Sequence, residues 1–142
     1  MKANARLVAR RFSQRPGDHY DENFAPTPVS PCFHLMAAIA CEMQLDLCHF
    51  DVQQAFSQAE MKGVVLMRMP QGWGALSGRV PRLNRSICGL KYTSRSWHSH
   101  LVTRLSNLGF EQSLADACVF RLIEPASVSI IAVAHTLTTY LR

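Results

Sequence analysis

The sequence predicts an α+β fold built on a largely antiparallel sheet. Three observations carry that reading: an apolar helix-spaced run over residues 31–45, a second from Trp97 to Leu108, and paired β-rich runs near the C-terminus. The order helix, strand, strand, helix, hairpin, with no internal repeat, belongs to α+β architecture rather than to alternating parallel units.

Each element has its own local cause. Residues 1–30 read as extended and irregular, with Arg6 to Arg10 a short strand and Pro16-Gly17 a turn. Pro26, Pro28 and Pro31 forbid a helix through their stretch, because proline lacks a donor and clashes with the preceding turn. Ser30-Pro31 then suits a helix start, a capping side chain followed by proline in the first turn. Phe33, Leu35, Met36, Ile39, Ala40 and Met43 follow at helical spacing. Leu47 to Asp51 reads as a short buried strand, Val64 to Met69 as a second, and Arg79 to Leu83 as a third. Trp97, Leu101, Leu105 and Leu108 mark a helix that Gly109 is placed to end. Cys118 to Ile123 and Val128 to Ala134 form a hairpin through Glu124-Pro125-Ala126-Ser127.

At 142 residues and 48% hydrophobic, the chain is long enough for one domain with a core. The uncharged stretches at 23–41 and 125–141 are broken by proline or by Ser, His and Thr, so neither reads as a membrane span. The N-terminal residues lack the apolar block of a secretory signal. Five cysteines, none in a Cys-x-x-Cys pair, argue against a disulfide framework or zinc knuckle and for a reducing compartment.

The formal charge of +5 conceals a pattern. Residues 1–17 hold Lys2, Arg6, Arg10, Arg11 and Arg15 with no acid, and residues 18–60 hold seven acids with no Lys or Arg. Residues 79–110 hold Arg79, Arg82, Arg85, Lys91, Arg95 and Arg104, again with no acid. If the two basic blocks converge in space they suit a polyanion, with the acids available for a cation; if not, they are ordinary solvated faces.

The sharpest local signal is His49-Phe50-Asp51-Val52-Gln53-Gln54-Ala55-Phe56. An aspartate closing an apolar strand is expected to be partly buried, where it needs a cation or several donors. By residue type alone, an aspartate at a strand end is more often a helix or turn cap.

Context adds to this segment. Ala5-Arg6-Leu7-Val8-Ala9-Arg10-Arg11-Phe12-Ser13-Gln14 precedes Asp18-His19-Tyr20-Asp21-Glu22-Asn23-Phe24-Ala25-Pro26. After the Asp51 segment come Met67-Arg68-Met69-Pro70-Gln71-Gly72 and Arg82-Leu83-Asn84-Arg85-Ser86-Ile87-Cys88-Gly89-Leu90-Lys91. Leu108-Gly109-Phe110 and Ala115-Asp116-Ala117-Cys118-Val119 complete the series. In this order the motifs resemble the reverse transcriptase domain of copia-type LTR retrotransposons, from about Ala5 to His135.

The resemblance implies a partial right-hand polymerase in one domain. Residues 1–30 would be fingers-like and 31–135 palm-like, with 136–142 a tail read out of frame. It implies an RNA-directed DNA polymerase using two Mg²⁺ ions, with RNA or DNA template-primer and dNTP as partners, in cytoplasmic particles of the element. Asp51 falls on the metal ligand and Phe56 on the aromatic that screens the sugar 2′ side of the nucleotide. Arg6 and Arg10 fall on the triphosphate-contacting finger segment, and Gly89 and Lys91 on the segment against nucleotide and template. Arg85 and Arg95, in the second basic block, are the expected nucleic-acid contacts. Read without the resemblance, Phe56 is also a core residue, Lys91 a solvated charge and Asp116 a cap.

The sequence departs from the family pattern at several points. Asn4 stands where a Lys is usual, His34 where an Arg is, Cys88 where a Tyr is, and Tyr92-Thr93-Ser94 replaces Gln, a small residue and Pro. The largest departure follows His135. The strand ending there should run into Val-Asp-Asp, whose carboxylates complete a site for two ions about 3.5–4 Å apart. The chain instead reads Thr136-Leu137-Thr138-Thr139-Tyr140-Leu141-Arg142. Those residues can be encoded as ACG TTG ACG ACA TAC TTG CGN, and reading from the third base yields Val-Asp-Asp-Ile-Leu-Ala. A frame change just after His135, by two extra nucleotides or a mispredicted junction, would account for the missing pair, and the chain is expected to be inactive as a polymerase.

Two other classes of function compete. One is a non-catalytic nucleic-acid-binding module that uses the two basic segments. The other is a small metalloenzyme built on His98-Ser99-His100, but rings two apart on a helix point to different faces.

Overall fold

The computed structural model describes residues 7–17, 20, 22–125, 127–134 and 137–141. The chain divides into two compact units, each discontinuous in sequence. One comprises residues 25–55 and 98–142, the other 1–24 and 56–97.

The first is a sheet unit. Its helix α1 (Ser30–Met43) begins where the prolines end and closes at Gln44, whose left-handed backbone (φ 52) returns a hydrogen bond to Ala40. Strand β1 (Leu47–Asp51) follows, and β4 (Glu111–Gln112), β5 (Val119–Glu124), β6 (Ser127–Ala134) and β7 (Leu137–Leu141) complete a five-stranded sheet. The spatial order is β1-β7-β6-β5-β4, antiparallel throughout. Helix α3 (Thr93–Asn107) contributes its residues from His98 onward to this unit.

Strand β6 explains the layering. Ile130 and Ala132 face Met36 and Ala40 of α1, with Phe33, Leu45 and Val119 packed alongside. Ile131 and Val133 face the other way, onto Leu105 of α3 and Phe120 of β5, with Leu101, Val102 and Phe110 around them. A strand covered on both sides is apolar at every position rather than alternating, which is why Ile130 to Ala134 is one unbroken run. Phe120 and Ala132 are fully buried at the centre.

The predicted class holds: helices pack on an antiparallel sheet. Several expectations shift. The strand expected at Arg6 to Arg10 is absent over residues 7–10, and a short 3-10 turn follows at Arg11–Ser13. The strand expected at Val64 begins four residues earlier, as β2 (Glu60–Leu66), and the third runs as β3 (Arg82–Arg85). Strand β1 has the predicted bounds but is exposed along its whole length, Asp51 included, because it lies at the sheet edge with one ladder neighbour. Residues Leu137–Leu141, in the stretch read as an out-of-frame tail, form β7 inside the sheet.

Ser30 is not the cap the sequence suggests. The N-cap position is Val29, with no capping side chain of its own. A distant residue serves: the Val29 N–H donates to Asp116 Oδ2 at 3.2 Å, and the Cys32 thiol donates to the same oxygen at 3.0 Å. Asp116 Oδ1 accepts from the Cys118 N–H at 2.8 Å. Asp116 thus ties the start of α1 to the turn that launches β5. Burial works to raise its pKa, but the Cys118, Cys32 and Val29 donors outweigh burial and hold it below the ordinary 3.8. The same contact, with burial, raises the Cys32 thiol, and burial first of all pushes Cys118 up to about 11, so both stay protonated at neutral pH.

A folded-state pKa below the unfolded value means stabilisation that is complete above 3.8 and fades as pH falls through the lowered value. Asp116→Ala should therefore cost about 1–3 kcal/mol at pH 7. In urea titrations between pH 7 and 2, its deficit relative to the parent should shrink below pH 4. A constant deficit across that range would contradict this role.

The second unit holds β2 and β3, paired antiparallel with a register shift between Glu60 and Val65. Beyond the ladder the pairing continues irregularly, Met67 N–H to Pro81 O at 3.2 Å and Met69 N–H to Arg79 O at 2.9 Å. Met69, Leu90 and Trp97 are its buried large side chains. The short helix α2 (Ala55–Gln58) begins in the sheet unit at Ala55 and passes into this unit at Phe56.

Candidate functional site

Asp51 closes β1, and its position is set by backbone pairing. Its partner across the ladder is Leu137, and Leu137 is in turn the partner of Ala134 on β6. The surroundings of Asp51 differ from expectation: the aspartate is solvent-exposed, so no desolvation compels a counter-ion. Among the described residues, no group of three or more His, Cys, Asp or Glu is placed to hold a metal ion. The His98-Ser99-His100 alternative loses support with it, since His98 Nε2 lies 3.2 Å from the Ala117 carbonyl.

The remaining candidates fall in the second unit, which has a pronounced charge of its own. Residues 1–24 and 56–97 carry twelve Lys and Arg against four acids, a formal +8; residues 25–55 and 98–142 carry three against six, a formal −3. The blocks separated in sequence converge because the Ala9 N–H donates to Cys88 O at 2.8 Å and the Lys91 N–H to Gln14 Oε1 at 2.7 Å.

Gly89 makes that convergence feasible. Its φ is +95°, and a Cβ there would sit 2.2 Å from the Ala9 carbonyl oxygen and 2.8 Å from Val8 Cγ1. Only glycine allows two backbones this close. Gly89 therefore has a packing duty sufficient to account for its presence, whatever lies against it.

Lys91 is held rather than free. Its ammonium donates to the Tyr20 hydroxyl at 3.1 Å and lies 5.2 Å from the centre of that ring. Arg85 donates to the carbonyls of Gln58 at 3.1 Å and Ser57 at 3.5 Å, satisfying the open C-terminal end of α2 that carries half-buried Phe56. Arg95 pairs with Glu22, both side chains being largely exposed, so the pair is weak and a phosphate can compete for the guanidinium. Arg6 lies outside the described residues.

Arg10 reaches a different feature. Its carbonyl closes the 3-10 turn by accepting from the Ser13 N–H and hydroxyl. With Leu7 to Ala9, Ser13, Gln14, Val65 to Pro70 and Leu90, it lines an open cavity of about 500 Å³. Two arginines, Arg10 and Arg68, and no acid line this cavity; the rest is mostly apolar. The combination accepts an anion with a flat or apolar portion.

Sequence reading missed Gln14 and Tyr20 as partners of Lys91, and Arg68 as the second cation of the cavity. Each lies far along the chain from the residue it joins, and no local spacing announces such a contact. Asp116 was legible only as some form of cap, since two of its partners, Val29 and Cys32, are more than 80 residues away in sequence.

Gly89→Ala should cost more than about 1 kcal/mol, because both its positive φ and its approach to Ala9 forbid a side chain. Gly63→Ala, where a Cβ meets nothing within 4 Å, should be close to neutral. Urea unfolding of the two variants checks the difference, and equal effects would remove the packing role.

Comparison with known proteins agrees with these motifs. A family model described as reverse transcriptase (RNA-dependent DNA polymerase) matches residues 1–134. The chain is 34% identical over 126 residues to the retrovirus-related Pol polyprotein from transposon RE2 of Arabidopsis thaliana, covering 87% of this chain and 9% of that protein. Its counterpart from transposon RE1 of the same plant is 32% identical over 126 residues, with the same coverage of each. The Pol polyprotein from transposon TNT 1-94 of Nicotiana tabacum is 26% identical over 122 residues, 84% of this chain and 9% of that one. No solved structure matches the chain. The chain spans about a tenth of the length of these relatives, and within that span it belongs to the reverse transcriptase (RNA-dependent DNA polymerase) family of retrotransposon Pol polyproteins.

Proposed function

We propose that this chain is fingers and palm from a retrotransposon reverse transcriptase, and that in this form it does not polymerise. The observation that carries the second half is the pairing of Asp51 with Leu137. Two-metal nucleotidyl transfer needs carboxylates from both sides of a shared site, and one aspartate cannot hold two divalent ions about 3.5–4 Å apart. The residues present do not fit a pair of Mg²⁺ ions: the register partner of Asp51 is a leucine, and among the described residues no group of three or more His, Cys, Asp or Glu is placed to hold a metal ion. No catalytic step can be routed through that position.

In this reading the parent enzyme's partners are an RNA or DNA template-primer and dNTP. Phe56 keeps the place beside the nucleotide sugar, Arg6 and Arg10 the triphosphate side, and Gly89 and Lys91 the template side. Arg85 and Arg95 serve the nucleic-acid backbone. Support comes from the family membership and from the gathering of Arg10, Gly89, Lys91, Arg85 and Arg95 into one basic unit. No described helix is long and apolar enough to cross a membrane.

Primer extension by the purified chain with Mg²⁺, template-primer and dNTP should yield no product above a protein-free control. Template-dependent synthesis would overturn the proposal of inactivity.

A second reading, nucleic-acid binding without catalysis, has its own observation: the +8 unit, with both basic blocks in it. Neutralising several phosphates releases counter-ions, so affinity falls steeply with salt, by roughly 10³-fold or more between 50 and 200 mM for six contacts. Fluorescence anisotropy with a single-stranded oligonucleotide across that range should show this slope. Binding that is absent at 50 mM, or indifferent to salt, would exclude it.

A further inference from the structure

We propose that Ser13 is a phosphorylation site for an arginine-directed protein kinase, and that Arg10 and Arg68 hold its phosphate once attached. The sequence around it reads Arg10-Arg11-Phe12-Ser13. Kinases that read charge patterns use carboxylates to grip arginines two and three residues before the serine. Arg10-Arg11 is the sole Arg-Arg pair of the chain, and no other Ser or Thr has an Arg three residues before it.

The fold presents this motif at the surface. The Ala9 N–H donates to Cys88 O at 2.8 Å and the Lys91 N–H to Gln14 Oε1 at 2.7 Å, so the segment is tethered at both ends. Between the tethers Arg11–Ser13 form the 3-10 turn, with Phe12 84% exposed and Ser13 also exposed. Arg10 O closes that turn, accepting from the Ser13 N–H at 3.1 Å and from its hydroxyl at 2.7 Å. A kinase cleft takes its substrate extended, and opening two hydrogen bonds of an exposed turn costs little. ATP balances the step: Ser13 Oγ bonds the γ-phosphorus, the hydroxyl proton passes to the kinase's catalytic aspartate, and ADP leaves.

The product has a place to go. Ser13 lines the same open cavity as Arg10 and Arg68, and no acid lines it. A phosphoserine carries about −1.5 to −2 charges and three acceptor oxygens, so arginines beside it gain charge-assisted hydrogen bonds. Modification therefore turns a cavity that accepts an anion into one that supplies its own.

The test incubates the full 142-residue chain with Mg²⁺-ATP and the catalytic subunit of a cyclic-AMP-dependent protein kinase. Mass spectrometry should locate phosphate on Ser13, formed within about tenfold of the rate for a peptide spanning residues 7–17. Ser13→Ala should remove it, and Arg11→Gln should slow it by about tenfold or more. Phosphorus-31 NMR then reads the second ionisation of the phosphate, which should fall below the ordinary value of about 6. Arg68→Gln lies outside the kinase's motif, so it should raise that ionisation again without slowing phosphorylation. Arg68→Lys keeps the charge and should keep the ionisation lowered, which holds the test open if Arg68→Gln does not fold. The site is refuted if Ser13 stays unmodified, if Arg11→Gln reacts as fast as the parent, or if the chain lags the peptide by more than that margin. Capture of the phosphate is refuted if its ionisation matches free phosphoserine or ignores both Arg68 substitutions. None of these readouts depends on whether the chain polymerises or binds nucleic acid.

Discussion

The position of β7 between β1 and β6 is the constraint on which the sheet unit turns. Among the described residues strand β1 has no other ladder partner, so hydrogen bonds to β7 locate the aspartate at its end. Leu137 to Leu141 supplies that strand from Leu, Thr, Thr, Tyr and Leu, residues suited to a pleated surface and free of proline. A ladder is made by backbone N–H and C=O groups, which nearly every residue carries. Coordination is made by side chains. A change of reading frame can therefore leave the ladder intact and remove the ligands, since the two requirements fall on different atoms of the same residues.

Electrostatics divides the molecule along the same boundary as the packing. The unit with Asp51 is formally acidic, and the one with Arg10, Arg68, Arg85, Lys91 and Arg95 strongly basic. Its basic segments meet at a close approach at Gly89, reinforced by Gln14 and Tyr20 on Lys91. Several cations expected to contact ligands also have intramolecular duties: Arg85 closes α2, Arg95 pairs with Glu22, and Lys91 rests on Tyr20. Exposed pairs of this kind contribute little stability, so their larger effect is to hold long side chains in place near the surface.

Asp116 shows how a residue can be misjudged at short range. Its own neighbours, Ala115 and Ala117, give no hint of a distant partner, and a cap for the local turn is the natural reading. In the fold it does cap that turn through Cys118, while its second oxygen receives the first donors of α1. The helix start that Ser30-Pro31 advertises is real, but the polar group that satisfies it comes from another part of the chain.

What the sequence determined by itself is local and periodic. Proline at 26, 28 and 31 set the beginning of α1, apolar spacing set the faces of both long helices, and the unbroken run at Ile130 to Ala134 set a strand covered on two sides. The motifs carried the family, because order along the chain is all that a motif needs. Tertiary structure decided what depends on strand order and on contacts far apart in sequence. It made β1 an exposed edge rather than a buried strand, drew the tail into the sheet, and set Leu137 across from Asp51. No periodicity encodes which strands become neighbours, since that choice is settled by the packing of whole faces.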